Sequence, residues 1–201
     1  MNMFSKEKLA SMIDHTLLKQ NVSNNDILAL CREAVQNGFA SVCILPGYVV
    51  RAAEILKGTE VKVCSVAGFP LGAVESSVKI YEVQQLIYSG AREIDIVLNL
   101  PAFFNKDYAR VVWEMKEIKK RCEESGSILK VIIETCLMNE EQKINAAKMV
   151  SEANSDFIKT STGFSIGGAT AEDIKLLRMH SDTNVKVKAS GGIRDYDTAI
   201  M

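Results

Sequence analysis

Glu93-Ile94-Asp95-Ile96-Val97-Leu98-Asn99 reads as a β-strand that carries a carboxylate among apolar neighbours. At a period of two, Asp95, Val97 and Asn99 share one face and Ile94, Ile96 and Leu98 the other. Other valine- and isoleucine-rich runs have the same texture: Ile13 to Leu18, Ser41 to Leu45, Val61 to Ala67, Leu129 to Thr135, Phe157 to Thr160 and Val185 to Ala189. Strands that are apolar on both faces belong to parallel sheets covered by helices.

Helical signals fill the gaps between these runs. Ser23 with Asp26 three residues later is the pattern of a capping box, and Ile27, Leu30, Cys31, Ala34 and Val35 follow at helical spacing up to the stop at Gly38. Tyr108, Val111, Val112, Met115, Ile118 and Cys122 form a second apolar stripe. Asn139 with Gln142, and Thr170 with Asp173, mark two more helix starts. Strand and helix alternating without a linker predict an α/β fold with a parallel sheet. Two architectures compete: a TIM (β/α)8-type barrel and an open doubly wound sheet. Neither G-x-G-x-x-G nor a P-loop occurs, which weakens the second.

The 201 residues suit one domain, spanning 1–201. With 24 Lys and Arg against 25 Asp and Glu, the chain shows no bias toward nucleic acid or a membrane surface. A local site for a small anion needs no basic chain. No apolar run is long enough to span a bilayer, and the first residues lack the apolar segment of a signal peptide. The five cysteines are odd in number and irregular in spacing, without C-x-x-C, which argues for a reducing cytoplasm and against a disulfide framework. His15 and His180 are the only histidines, so a histidine-based metal site is not expected, nor is any other metal.

Charged residues inside strands are the informative ones. Asp95 by itself can be a structural ion-pair partner. Lys159, in Phe157-Ile158-Lys159-Thr160-Ser161-Thr162-Gly163, is more unusual, because lysine is rarely buried without a partner. Lys188 lies in Val185-Lys186-Val187-Lys188-Ala189-Ser190-Gly191-Gly192, where Lys alternating with Val also fits an edge strand. If the two lysine strands are neighbours, they lie about 4.8 Å apart near their C-terminal ends, where barrel enzymes hold their chemistry. Two ammonium groups that close would lower one pKa and supply a neutral amine, the species that attacks a carbonyl to form a Schiff base. Asp95 then offers a carboxylate for proton transfer. Glycines follow both lysines, at Gly163, Gly167 and Gly168 and at Gly191 and Gly192, and let backbone N–H groups approach an anion.

These segments resemble the deoxyribose-phosphate aldolase family, class I Schiff-base aldolases on a TIM barrel. The resemblance rests on Ile13 to Leu18, Glu93 to Asn99, Lys130 to Thr135, Phe157 to Phe164 and Lys188 to Arg194, in the family's order. It implies reversible cleavage of 2-deoxy-D-ribose 5-phosphate to D-glyceraldehyde 3-phosphate and acetaldehyde, with no cofactor. Small phosphorylated sugar and acetaldehyde would be its partners, and a homo-oligomer is compatible with it. Lys159 would form the Schiff base, with Lys188 tuning its pKa. Asp95 and Lys188 would act as acid and base through a bound water. Asp14 and Thr162 would meet substrate hydroxyls, and Gly163, Gly191, Gly192 and Arg194 would hold the phosphate. Cys43 would stand near the aldehyde carbon, although a small buried hydrophobe is an equal reading. Some family members carry a lysine where this chain has Phe164. The family pattern continues past Arg194 into a final helix and an eighth strand, which are expected to be missing here. An alternative is therefore a barrel with its chemical residues intact but little or no activity.

Overall fold

The structure is a computed structural model and describes residues 5–200. Its seven strands are β1 (Asp14–Leu17), β2 (Ser41–Ile44), β3 (Lys62–Ala67), β4 (Glu93–Val97), β5 (Ile128–Ile132), β6 (Phe157–Lys159) and β7 (Lys186–Lys188). They form one sheet in the order β1-β2-β3-β4-β5-β6-β7, and every pairing is parallel. A doubly wound sheet would reverse its strand order at a switch point. Consecutive strands are neighbours throughout here, as in a TIM-type barrel. The sheet curls until its ends meet through side chains: Lys188 Nζ on β7 lies 3.0 Å from Asp14 Oδ2 on β1. No eighth strand occurs among the described residues.

The helices are α1 (Lys6–Ala10), α2 (Asn24–Asn37), α3 (Val49–Ile55), α4 (Ser76–Tyr88), α5 (Leu100–Phe104), α6 (Tyr108–Ser125), α7 (Glu140–Glu152), α8 (Ala171–His180) and α9 (Tyr196–Ile200). The boundaries of the longer ones follow from local chemistry. Ser23 and Asp26 close a capping box on α2, and Gly38 ends that helix at φ 65°. Asn139 and Gln142 form a second box on α7, and Thr170 caps α8 through Asp173 N. Asp107 caps α6, which buries Val111, Met115, Ile118 and Cys122. None of these helices is long and apolar enough to cross a membrane.

The main core lies between sheet and helices, where Val42, Ile44, Ile94, Ile96, Leu129, Val131 and Ile158 are fully buried. The concave face is different. A small apolar floor of Leu18, Cys43, Cys64 and Val66 gives way to charged side chains. The alternation in Glu93–Val97 thus sorts Ile94 and Ile96 to the helix layer and Asp95 to the interior. Two expected strand ends are cut short. Asn99 leaves the strand to cap α5 through Ala102 N. β5 stops at Ile132, just before Glu134 takes left-handed backbone at φ 57°.

Candidate active site

Four consecutive strands, β3 to β6, meet at one carboxylate. Asp95 on β4 is fully buried. Its Oδ2 accepts from Lys159 Nζ on β6 at 2.5 Å. Its Oδ1 accepts from Lys130 Nζ on β5 at 3.0 Å and from the Cys64 thiol on β3 at 3.1 Å. Lys130 Nζ also lies 2.6 Å from Glu93 Oε2 and 3.3 Å from Asp14 Oδ2. Lys188 Nζ completes the ring at Asp14 and at the Met12 carbonyl, 3.0 Å away. Three carboxylates therefore face three ammonium groups, which is how a charged interior is tolerated.

These contacts set the protonation states. Burial pushes the Asp95 carboxyl up, but the ammonium groups of Lys130 and Lys159 outweigh it and hold the group well below the usual carboxylate range. Asp14 is lowered in the same way: its burial is outweighed by Lys130 and Lys188. Burial disfavours the Lys159 cation, yet the adjoining Asp95 carboxylate outweighs burial and holds its pKa above that of an ordinary lysine. Lys130 is raised likewise, its burial overcome chiefly by Asp95.

The expected depression of the Lys159 pKa by Lys188 is not what this geometry produces. The two residues are register partners on β6 and β7, as neighbouring strands require. However, the Lys188 ammonium turns to Asp14, across the gap between β7 and β1. The cation that shares Asp95 with Lys159 is Lys130. Resting Lys159 is thus an ion-paired ammonium, and it must give up a proton before it can attack a carbonyl. Lys188 also answers to the edge reading, since β7 is an end strand among the described residues.

Of the remaining candidates Asp14 opens β1, whereas Thr162, Gly163, Gly191, Gly192 and Arg194 follow the C-terminal ends of β6 and β7. Thr162 is buried and donates its hydroxyl to Glu134 Oε2 at 2.5 Å. Asp14 accepts from Ser41 Oγ at 2.9 Å as well as pairing with lysine. Gly163, Gly191 and Gly192 all have left-handed backbone, with φ of 82°, 81° and 89°. The two glycine turns meet: Ala169 N donates to Gly191 O at 3.1 Å, and a Cβ on Gly168 would lie 2.4 Å from that same oxygen. Only glycine permits this approach. Arg194 is exposed beside these turns in sequence. Phe164 packs edge-on against Phe69, with ring centroids 5.4 Å apart.

Cys43 is fully buried in the interior floor and is the register partner of Cys64. Together with Asp95 these thiols offer three possible metal ligands whose atoms lie within 4.8 Å of one another. Two ammonium groups already occupy Asp95, and burial pushes the Cys64 thiol well up, against thiolate formation. The donor set is therefore a poor cation site.

A family model described as "DeoC/LacD family aldolase" matches residues 8–200. The chain belongs to this family. It is 49% identical over 195 residues to a deoxyribose-phosphate aldolase of Clostridium kluyveri, covering 97% of this chain and 89% of the relative. It is 50% identical over 192 residues to the enzyme of that name from Caldanaerobacter subterraneus subsp. tengcongensis, covering 95% and 83%. Among solved structures, the tetrameric deoxyribose phosphate aldolase from Aeropyrum pernix superposes with a TM-score of 0.90 at 34% identity, covering 98% of this chain and 82% of that one.

Lys130, Glu93, Cys64 and Glu134 are parts of this DeoC/LacD aldolase's site that sequence reasoning left out. Lys130 carried the same signal as Asp95, a charge between the outward-facing Leu129 and Val131. Glu134 carried no such signal. Its place depends on a backbone irregularity that strand periodicity does not reveal.

Proposed function

We propose that this aldolase cleaves 2-deoxy-D-ribose 5-phosphate reversibly to D-glyceraldehyde 3-phosphate and acetaldehyde, with Lys159 as the Schiff-base nucleophile. The observation that carries the assignment of Lys159 is its buried contact with Asp95, 2.5 Å from Nζ to Oδ2, at the C-terminal end of β6. Loss of a proton from Lys159 leaves an amine that adds to the sugar aldehyde. Loss of water then gives the protonated imine. A base removes the hydroxyl proton at C3, the C2–C3 bond breaks, and its electron pair passes into the imine to form an enamine. Glyceraldehyde 3-phosphate departs. Protonation at C2 and hydrolysis release acetaldehyde and restore the amine.

Asp95 and Lys188 are the acid and base in this reading. Asp14 and Thr162 meet substrate hydroxyls, Cys43 borders the aldehyde carbon, and Gly163, Gly191, Gly192 and Arg194 hold the phosphate. The convergence of two glycine turns after the two lysine strands supports the phosphate assignment. A cytoplasmic location fits the five free thiols. A homo-oligomer is the expected assembly, since the Aeropyrum pernix relative is described as tetrameric.

Borohydride trapping with acetaldehyde tests the assignment. A single stable adduct should map to Lys159, and Lys159→Met should abolish both adduct and cleavage, on the order of 10³-fold or more. Adducts scattered over surface lysines would refute it. An adduct without sugar-phosphate cleavage would point instead to an intact nucleophile in an inactive barrel.

A further inference from the structure

Glu134 is buried, yet it holds left-handed backbone that a non-glycine residue adopts only at a cost. The β5–β6 ladder shows why. Ile133 N donates to Lys159 O at 3.0 Å, and Thr135 N donates to Thr160 O at 2.9 Å. Just past the end of β5, two steps of the chain are thus matched by one step at the end of β6, and Glu134 is the extra residue of a bulge. Bulges concentrate at barrel rims and beside active sites, where they re-aim a side chain. This one aims a carboxyl group at the turn that follows Lys159.

Thr162 makes the hydrogen bonds of that turn to Glu134. Thr162 Oγ1 donates to Glu134 Oε2 at 2.5 Å, and Thr162 N lies 3.3 Å from each carboxylate oxygen. A hydroxyl has one hydrogen and two lone pairs. The hydrogen goes to Glu134, and one lone pair accepts from Phe164 N at 3.1 Å. What Thr162 has left is a single acceptor position. Glu134 and Thr162 both line a cavity of about 310 Å³, otherwise walled mainly by apolar residues such as Leu100, Phe104, Leu137 and Phe164.

We propose that Glu134 is a positioning residue that fixes Thr162 as a hydrogen-bond acceptor, so that the site selects acceptor aldehydes bearing a hydroxyl. The inference rests on the reaction proposed above and adds the source of its preference for glyceraldehyde 3-phosphate. Without Glu134 the Thr162 hydroxyl is free to rotate, and an acceptor without a hydroxyl no longer leaves a fixed polar group unpaired.

Condensation of acetaldehyde with two acceptors tests this. One is glyceraldehyde 3-phosphate. The other is 3-oxopropyl phosphate, which has the same chain and phosphate but lacks the hydroxyl. The parent should prefer the first. Glu134→Gly keeps the left-handed backbone without strain and removes the side chain with its carboxyl group. It should lose about tenfold in kcat/KM with glyceraldehyde 3-phosphate and less than about twofold with 3-oxopropyl phosphate. Glu134→Gln retains an acceptor for Thr162 and should recover most of the preference. Equal losses on both acceptors would show a merely structural residue and overturn the proposal, as would no loss on either. A parent that condenses neither aldehyde would overturn the proposed reaction and this inference with it.

Discussion

Lys79 and Lys159 are both buried, and their surroundings differ in one decisive respect. Lys79 lies on the outside of the sheet, where α4 meets α6. Its three donors go to Glu114 Oε1 at 2.6 Å, Val97 O at 2.9 Å and Gly72 O at 3.4 Å. Asn99 Nδ2 takes the other Glu114 oxygen at 3.2 Å. Lys159 lies inside the barrel and has one partner among the described residues, Asp95. An ammonium group has three donors. Lys79 commits all of them, whereas Lys159 keeps two directions open.

Their titration differs too. Burial outweighs the pull of Glu114 and holds the Lys79 pKa below the ordinary lysine value. For Lys159 the carboxylate outweighs burial, and the pKa rises. A buried charge alone therefore does not mark an active site. A buried charge with unspent donors at the C-terminal end of a barrel strand does.

Lys79→Met would leave Glu114 buried without its cation, which should cost about 3–5 kcal/mol of stability. Thermal unfolding should show a large fall in Tm, while the folded fraction still forms the acetaldehyde adduct. The pair Lys79→Met with Glu114→Leu should recover much of the loss. Full stability in the single variant would mean that the pair contributes nothing.

Asp95→Asn sharpens the other side. It removes the carboxylate that raises the Lys159 pKa, so burial then dominates and the pKa falls. Borohydride trapping should reach its maximal rate at lower pH than in the parent. Cleavage should nevertheless fall by about 10²-fold, because a proton-transfer group is gone. An unchanged trapping profile would show that Asp95 does not control the amine.

Acid should produce the smallest and most gradual effect. Asp14 and Asp95 have folded pKa values below the unfolded value of about 3.9. The unfolded chain therefore binds more protons in that window, and stability rises with pH across it. Stability from these two groups is present above about pH 4 and drains away as pH falls through their folded values. Denaturant titrations at descending pH should show this slope. Asp95→Asn should flatten it, and an identical slope in that variant would assign the acid sensitivity elsewhere.

Much of this was legible in the primary structure for a simple reason. All seven strands follow from apolar runs, and the α2 and α7 capping boxes follow from residue types three positions apart. Both signals are local. Asp95 and Lys159 stood out because a charge in a two-faced apolar strand contradicts its surroundings. Asn99 follows strand periodicity in sequence but caps α5 in the fold, because a helix start overrides that periodicity once the chain turns.

The chain's own order of residues determined the parallel α/β barrel, the family and the charged residues of its interior, since each depends on local pattern or on a motif. Tertiary structure alone decided which charges meet. Lys188 turns to Asp14, and Lys130 joins Lys159 on Asp95. Pair energies depend on distances of a few ångströms between atoms remote in sequence, and strand patterns carry no such distances. The same holds for Glu134, whose carboxyl group reaches Thr162 only because one extra residue bulges out just after β5.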